Sequence, residues 1–258
     1  MNQTPRIDVD AEFPAAVRRA GGEVVERLLP TKSPAFDNAD YIFRRDNVVA
    51  ELKRLDKNVI GDPEFRAKLE KLYAKLMSEG RAPQVFGTVR VSVRQIADLD
   101  PRAAKEFLEP YKKRLARILE KANSQIKDTA CYFGIEKPMG LLIVANDGDV
   151  GFELDLMLFL LHHLLRTFYS SINGIIYFTA NLTVDVPNFR ASRIWVPLNI
   201  HDRPAVPEQL LRRLQRAWMN RVAALTGEPV LVKKIDSGSP ADVASICFTD
   251  RAEPRLII

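Results

Sequence analysis

Asp40, Glu51 and Lys53 fall within one stretch, D-Y-I-F-R-R-D-N-V-V-A-E-L-K, and their types suit one kind of chemistry. The two carboxylates offer hard oxygen ligands. Mg²⁺ commonly takes only one or two such groups from a protein and keeps several waters. A cation held in this way would orient a water, lower its pKa and offset charge building on a phosphate. Lys53 would position that water or take its proton. A plainer reading of the same residues is a surface salt bridge between Lys53 and Asp40, a kind of pair that contributes little to stability.

These side chains must be positioned by the elements that carry them. Apolar runs over 41–43 and 48–52 flank Asp46-Asn47, residue types that tolerate positive φ and suit a two-residue hairpin turn. That turn predicts Arg45 opposite Val48, Arg44 opposite Val49, Ile42 opposite Glu51 and Asp40 opposite Lys53. Side chains alternate along a strand and cross-strand partners share a face, so Asp40, Glu51 and Lys53 are expected on one face. Tyr41, Phe43, Val48, Ala50 and Leu52 are expected on the other, packed under helices. A turn one residue longer would undo this grouping.

The stretch resembles the PD-(D/E)XK nuclease superfamily, whose motif is an Asp on one strand and an acid, any residue and a Lys on the next. Asp40 and Glu51-Leu52-Lys53, the only acid-x-Lys triplet in the chain, would fill it, with Ala39 where the family name has Pro. The resemblance implies an α/β, restriction-endonuclease-like fold, a central mixed sheet flanked by helices, with a Mg²⁺- or Mn²⁺-dependent phosphodiester hydrolase built on it. Asp40, Glu51 and the Leu52 carbonyl would hold the metal, Lys53 would assist the attacking water, and the product would carry a 5′-phosphate. A helix before the catalytic strands sometimes lends a further acid; Glu26 is the first candidate and Glu23 the second. Helical geometry sets both outside the apolar stripe, where solvated acids are also expected. Asp37, in S-P-A-F-D-N, is an alternative first acid and otherwise a turn residue. Two alternatives stay open: a noncatalytic member of the fold that binds nucleic acid or protein, and an unrelated α/β protein with a solvated hairpin.

The composition agrees with a globular protein. A chain of 258 residues can bury a substantial core and fits one α/β domain over 1–258, with a helical insertion over 56–138 enlarging the connection after the hairpin. A net charge of +5 mildly favours a polyanionic partner; that this partner is nucleic acid, and DNA before RNA, is what the resemblance implies. Cys131 and Cys247 make no disulfide framework and no Cys/His cluster has zinc spacing, which fits a reducing cytoplasm. The first residues lack the pattern of a signal peptide, and the apolar run over 156–165 is too short to span a bilayer and is broken by His162-His163. A soluble, cytoplasmic protein is expected.

Along the chain, apolar spacing predicts a helix over 14–29, ended by Pro30, and a second from Asp62-Pro63 to Gly80. Residues 85–92 read as a short strand or an extended connection. A helix over 101–126, kinked at Pro110, is strongly basic, and Lys112, Lys113, Arg114, Arg117 and Lys121 are its candidate phosphate contacts. The plainer reading is a solvated face. Continuous apolar strands over 139–145 and 174–179 enclose a helix over 154–169, a parallel crossover unit. The loop N-D-G-D-V-G between them lacks the spaced ligands of a calcium loop and reads as a turn, and His162 and His163 read as structural. A strand over 194–198, a helix over 207–225 with a second basic surface (Arg212, Arg213, Arg216, Arg221) and strands over 229–233 and 245–248 complete the expectation. No glycine-rich phosphate loop or G-x-S-x-G is present.

Overall fold

A computed structural model describes residues 6–31, 34, 36–58, 61–84, 96, 99–150, 154–186, 189–191, 193–227 and 247–250. The first helix, α1 (Val9–Arg19), starts where the Asp8 side chain accepts hydrogen bonds from the Asp10 and Ala11 amides. It ends at Ala20, before Gly21 takes the left-handed conformation at φ 87°. The helix expected over 14–29 therefore lies earlier and is shorter. A side-chain cap sets its start and a glycine its end, so Pro30 plays no part.

The chain continues as a short edge strand β1 (Glu23–Val24), a 3₁₀ turn over Val25–Arg27, β2 (Tyr41–Phe43), a second 3₁₀ turn over Arg44–Asp46 and β3 (Val48–Leu55). Helices α2 (Pro63–Ser78) and α3 (Pro101–Tyr132) lead to β4 (Met139–Asn146); α4 (Leu154–Phe168) leads to β5 (Gly174–Thr179). Then come β6 (Leu182–Val186), β7 (Phe189–Ala191), β8 (Trp195–Asn199), α5 (Glu208–Thr226) and β9 (Cys247–Asp250). The segments expected over 85–92 and 229–233 lie outside the described residues. Cys247–Asp250, which overlaps the expected edge strand, pairs with β6 in a small separate sheet ordered β7-β6-β9.

The main sheet is mixed, with order β1-β2-β3-β4-β5-β8. Antiparallel pairing joins β1, β2 and β3, parallel pairing joins β3 to β4 and β4 to β5, and β8 is antiparallel to β5. Parallel neighbours need crossover connections, and these are α2 with α3, and α4. On one face Ile42, Val49, Leu142, Val144 and Tyr177 pack with Leu115, Leu119 and Ile126 of α3 and Leu160 and Leu164 of α4. On the other, Tyr41, Phe43, Val48, Ala50, Leu141, Ile143 and Phe178 pack with Phe13 and Val17 of α1 and Leu214 and Trp218 of α5. The chain is thus an α/β protein with a six-stranded mixed sheet covered by helices on both faces. Strand β4 alternates between the two cores, which is why its sequence is apolar throughout.

Two local features set the geometry of the hairpin. Its connection is longer than the expected two residues: the 3₁₀ turn closes at Asn47, which is left-handed at φ 54°. Asn47 also donates its side-chain amide to the Glu136 and Lys137 carbonyls, both at 3.0 Å, so the turn is tied to the loop entering β4. The pairs are consequently Phe43 with Val48, Ile42 with Val49 and Tyr41 with Ala50. Compared with the expected register, each strand partner moves by two residues. Helix α3 is also longer than expected, running through Pro110 to Tyr132, and its C-terminal part bonds through Gln125 and Thr129 to Asn38 and Ala39, just before β2.

Candidate active site

The two-residue shift preserves the expected grouping, because side chains repeat every two residues and a shift of two returns each to its face. Asp40 comes opposite Glu51 instead of Lys53. The Asp40 amide donates to Glu51 Oε2 at 3.0 Å, and Asp40 Oδ2 accepts from the Leu52 amide at 2.8 Å. Lys53 Nζ donates to Glu51 Oε1 at 2.6 Å, so its ion-pair partner is Glu51 and not the expected Asp40. The Asp40 carbonyl accepts from the Val25 amide at 2.8 Å, which fixes the backbone on its other side.

Helix α3 supplies two groups that motif reasoning did not identify. Gln125 Oε1 accepts the second hydrogen bond of Lys53 Nζ at 2.7 Å, and its amide donates to the Asn38 carbonyl at 2.7 Å. One turn on, Thr129 Oγ1 accepts from the Ala39 amide at 2.7 Å. Both are buried polar residues on the same helix side as Leu119, Ala122 and Ile126. Polar residues at positions of an apolar stripe were the available signal, since buried polar groups require partners.

The site is closely packed. Glu51 is only 2% exposed and the Lys53 side chain 18%. Burial first and the neighbouring Asp40 charge second push the Glu51 carboxyl up to about 8, against the opposing Lys53 ammonium. Burial also raises Asp40, offset chiefly by its hydrogen bond from the Leu52 amide. The two carboxyls are hydrogen-bonded to one another, with Glu51 the group that holds the proton more readily. Two acids that share a proton in a buried site would also suit a cation in its place.

The donor set fits a hard divalent ion in this limited sense. Asp40 and Glu51 supply oxygen ligands, and the Leu52 carbonyl lies on the strand edge that its amide presents to Asp40. No group of three or more His, Cys, Asp or Glu side chains suited to a metal occurs among the described residues, so a cation here would rely on water and substrate oxygens for its other positions.

The remaining expected site residues are distributed as follows. Glu26 is exposed in the 3₁₀ turn over Val25–Arg27, and Glu23 lies on β1, hydrogen-bonded to Arg44 at 3.2 Å. Neither stands on a helix, because α1 has already ended, and neither hydrogen-bonds to Asp40, Glu51 or Lys53. Asp37 lies 3.9 Å from Lys121 in an exposed ion pair. Lys113, Arg117 and Lys121 are exposed on α3 at intervals of four residues, while Lys112 and Arg114 are half-buried. Lys113 lies 3.9 Å from Glu109. The contact with Asp37 brings the last cation of this row beside the segment that leads into Asp40. No helix among the described residues is long and apolar enough to cross a membrane. No family model, curated protein or solved structure matches the chain.

Proposed function

We propose that the protein is a divalent-cation-dependent nuclease that hydrolyses phosphodiester bonds, in DNA before RNA, on a restriction-endonuclease-like version of its mixed sheet. The observation that carries this reading is the convergence of Asp40, Glu51 and Lys53 on one face of the β2–β3 hairpin, joined by hydrogen bonds of 2.6–3.0 Å. The element order around them, helix, hairpin, helices, strand, helix and strand, also supports it.

Mg²⁺ or Mn²⁺, when bound, supplies positive charge against the phosphate and a water of lowered pKa. Asp40, Glu51 and the Leu52 carbonyl would hold it. Lys53, braced as an ammonium between Glu51 and Gln125, would hold the attacking water in line with the phosphorus and offset the charge that builds there. Water addition at phosphorus with departure of the 3′ oxygen leaves a 5′-phosphate. Lys113, Arg117 and Lys121 would contact the strand backbone, and the 3.9 Å approach of Lys121 to Asp37 supports a path from α3 toward the site.

A second reading is favoured by the burial of Glu51 and by the occupation of both its oxygens, one by Lys53 and one by the Asp40 amide. Such a closed cluster would serve a noncatalytic protein of this fold that binds nucleic acid or protein. Purified protein incubated with single-stranded, duplex and branched DNA and with RNA, plus Mg²⁺ or Mn²⁺, separates the two. The nuclease reading expects cleavage that disappears in Asp40→Asn and Lys53→Ala. Equal activity in those variants would refute the site, and binding without cleavage would favour the noncatalytic protein.

A further inference from the structure

A second cationic site lies on the opposite side of the sheet from Asp40 and Glu51. Arg19 at the end of α1, Arg45 in the hairpin turn and Arg212, Arg213 and Arg216 of α5 line one open cleft of about 530 Å³, together with Gln209, Ala217 and Asn220. On α5 these positions follow helical spacing, so Gln209, Arg212, Arg213, Arg216 and Asn220 form one stripe beside the apolar stripe of Leu210, Leu214 and Trp218. Among the described residues no carboxylate lines the cleft.

Like charges gathered in this way repel, and structural roles account for only part of the cluster. Arg213 ties three elements together: its Nε donates to the Ala20 carbonyl at 3.1 Å and its terminal nitrogen to Asp46 at 2.5 Å. Arg212 is paired with Glu208 one turn earlier, and Arg19 complements the negative end of the α1 dipole. Arg45 and Arg216 are exposed and make no ion pair or hydrogen bond among the described residues. Five guanidinium groups against Asp46 and Glu208 leave a net charge of +3 around the cleft.

We propose that this cleft binds a ligand carrying two or more phosphate groups. Guanidinium forks match phosphate oxygens in pairs, and the two side-chain amides add neutral donors. One apolar residue, Ala217, lines the cleft, which gives the side chains of an acidic peptide little to pack against. The phosphates come either from a phosphodiester strand or from a free polyphosphate such as a nucleoside triphosphate. Arg213, held by Ala20 and Asp46, positions the α5 stripe against the hairpin turn, so the site exists only when α1, the turn and α5 are assembled. The proposal is independent of hydrolysis at Asp40 and Glu51.

The test measures binding of a short fluorescein-labelled single-stranded oligonucleotide, of ATP and of a polyglutamate peptide, all in EDTA so that cleavage cannot contribute. The Arg45→Gln/Arg216→Gln double variant is expected to retain the thermal midpoint and to weaken phosphate-ligand binding by roughly tenfold or more. For the strand, the slope of log K against log salt should fall by about 1.4, two contacts at about 0.7 each. Arg216→Lys should recover part of the loss. A strand that binds without ATP identifies the phosphodiester source, ATP without the strand identifies free polyphosphate, and mutual competition shows that both enter. Absence of phosphate-ligand binding, unchanged affinity in the double variant, equal binding of polyglutamate, or loss confined to Lys113→Gln/Lys121→Gln on α3 would overturn the proposal.

Discussion

Replacing Glu51 by Gln should change how stability depends on pH more than it changes stability itself. The Glu51 carboxyl rises from 4.5 unfolded to about 8 folded, with burial the largest cause and Asp40 next. Between those values the folded state binds the proton that the unfolded state has lost, so stability must fall as pH rises. The contribution is fully present below about pH 4.5 and is lost as pH passes through about 8. The slope is about 1.4 kcal/mol per pH unit, and across the window the loss is on the order of 5 kcal/mol. Urea unfolding of the metal-free protein at several pH values from 5 to 9 reads this directly. The wild type should lose stability steadily, whereas Glu51→Gln should retain only the smaller slope due to Asp40, whose carboxyl is also raised. Near pH 5 the variant should be the weaker protein, because one amide hydrogen must face either Lys53 Nζ or the Asp40 amide, both donors. At pH 8 the difference should shrink or reverse. Mg²⁺ should stabilise the wild type more at pH 8 than at pH 6, since binding displaces the proton. Parallel pH profiles for the two proteins would refute the placement of a raised, buried carboxyl at Glu51.

Two further perturbations probe what holds the site. Thr129→Val removes the acceptor for the buried Ala39 amide at nearly constant volume and should cost about 1–3 kcal/mol in chemical denaturation, with reduced protection of Ala39 in hydrogen exchange. Gly140→Ala should abolish soluble expression or lower the unfolding midpoint sharply, because a Cβ at β4 would stand 1.8 Å from the Ser171 carbonyl oxygen. That carbonyl lies in the turn locked to β4 by the Gly140–Asn173 hydrogen bonds at 2.7 and 2.9 Å. Normal stability in either variant would sink the corresponding contact.

Much of the sheet was legible from local pattern. The apolar runs at β4 and β5 and the helical spacing of α4 and α5 appear where sequence periodicity puts them, within a residue or two at their ends. The shared face of Asp40, Glu51 and Lys53 was legible too, and for a stronger reason than the turn invoked for it. Alternation has period two, so any register differing by an even number of residues yields the same faces. The turn itself was misread because Asp46-Asn47 suits a two-residue loop locally. The longer 3₁₀ turn instead lets Asn47 close the hairpin and bond to the Glu136 and Lys137 carbonyls, partners far along the chain.

Residue types and alternation along Asp40 to Lys53 were enough to bring two acids and a lysine to one face, because those quantities are local. Tertiary structure alone decided that Asp40 stands opposite Glu51, that Lys53 is shared by Glu51 and Gln125, and that burial raises both acids. It also gathered Arg19, Arg45 and Arg216 from a helix end, a turn and a second helix into one cleft. The physical reason is that hydrogen-bond partners, desolvation and charge density depend on which helix faces cover the sheet, and no short window of sequence contains both sides of that contact.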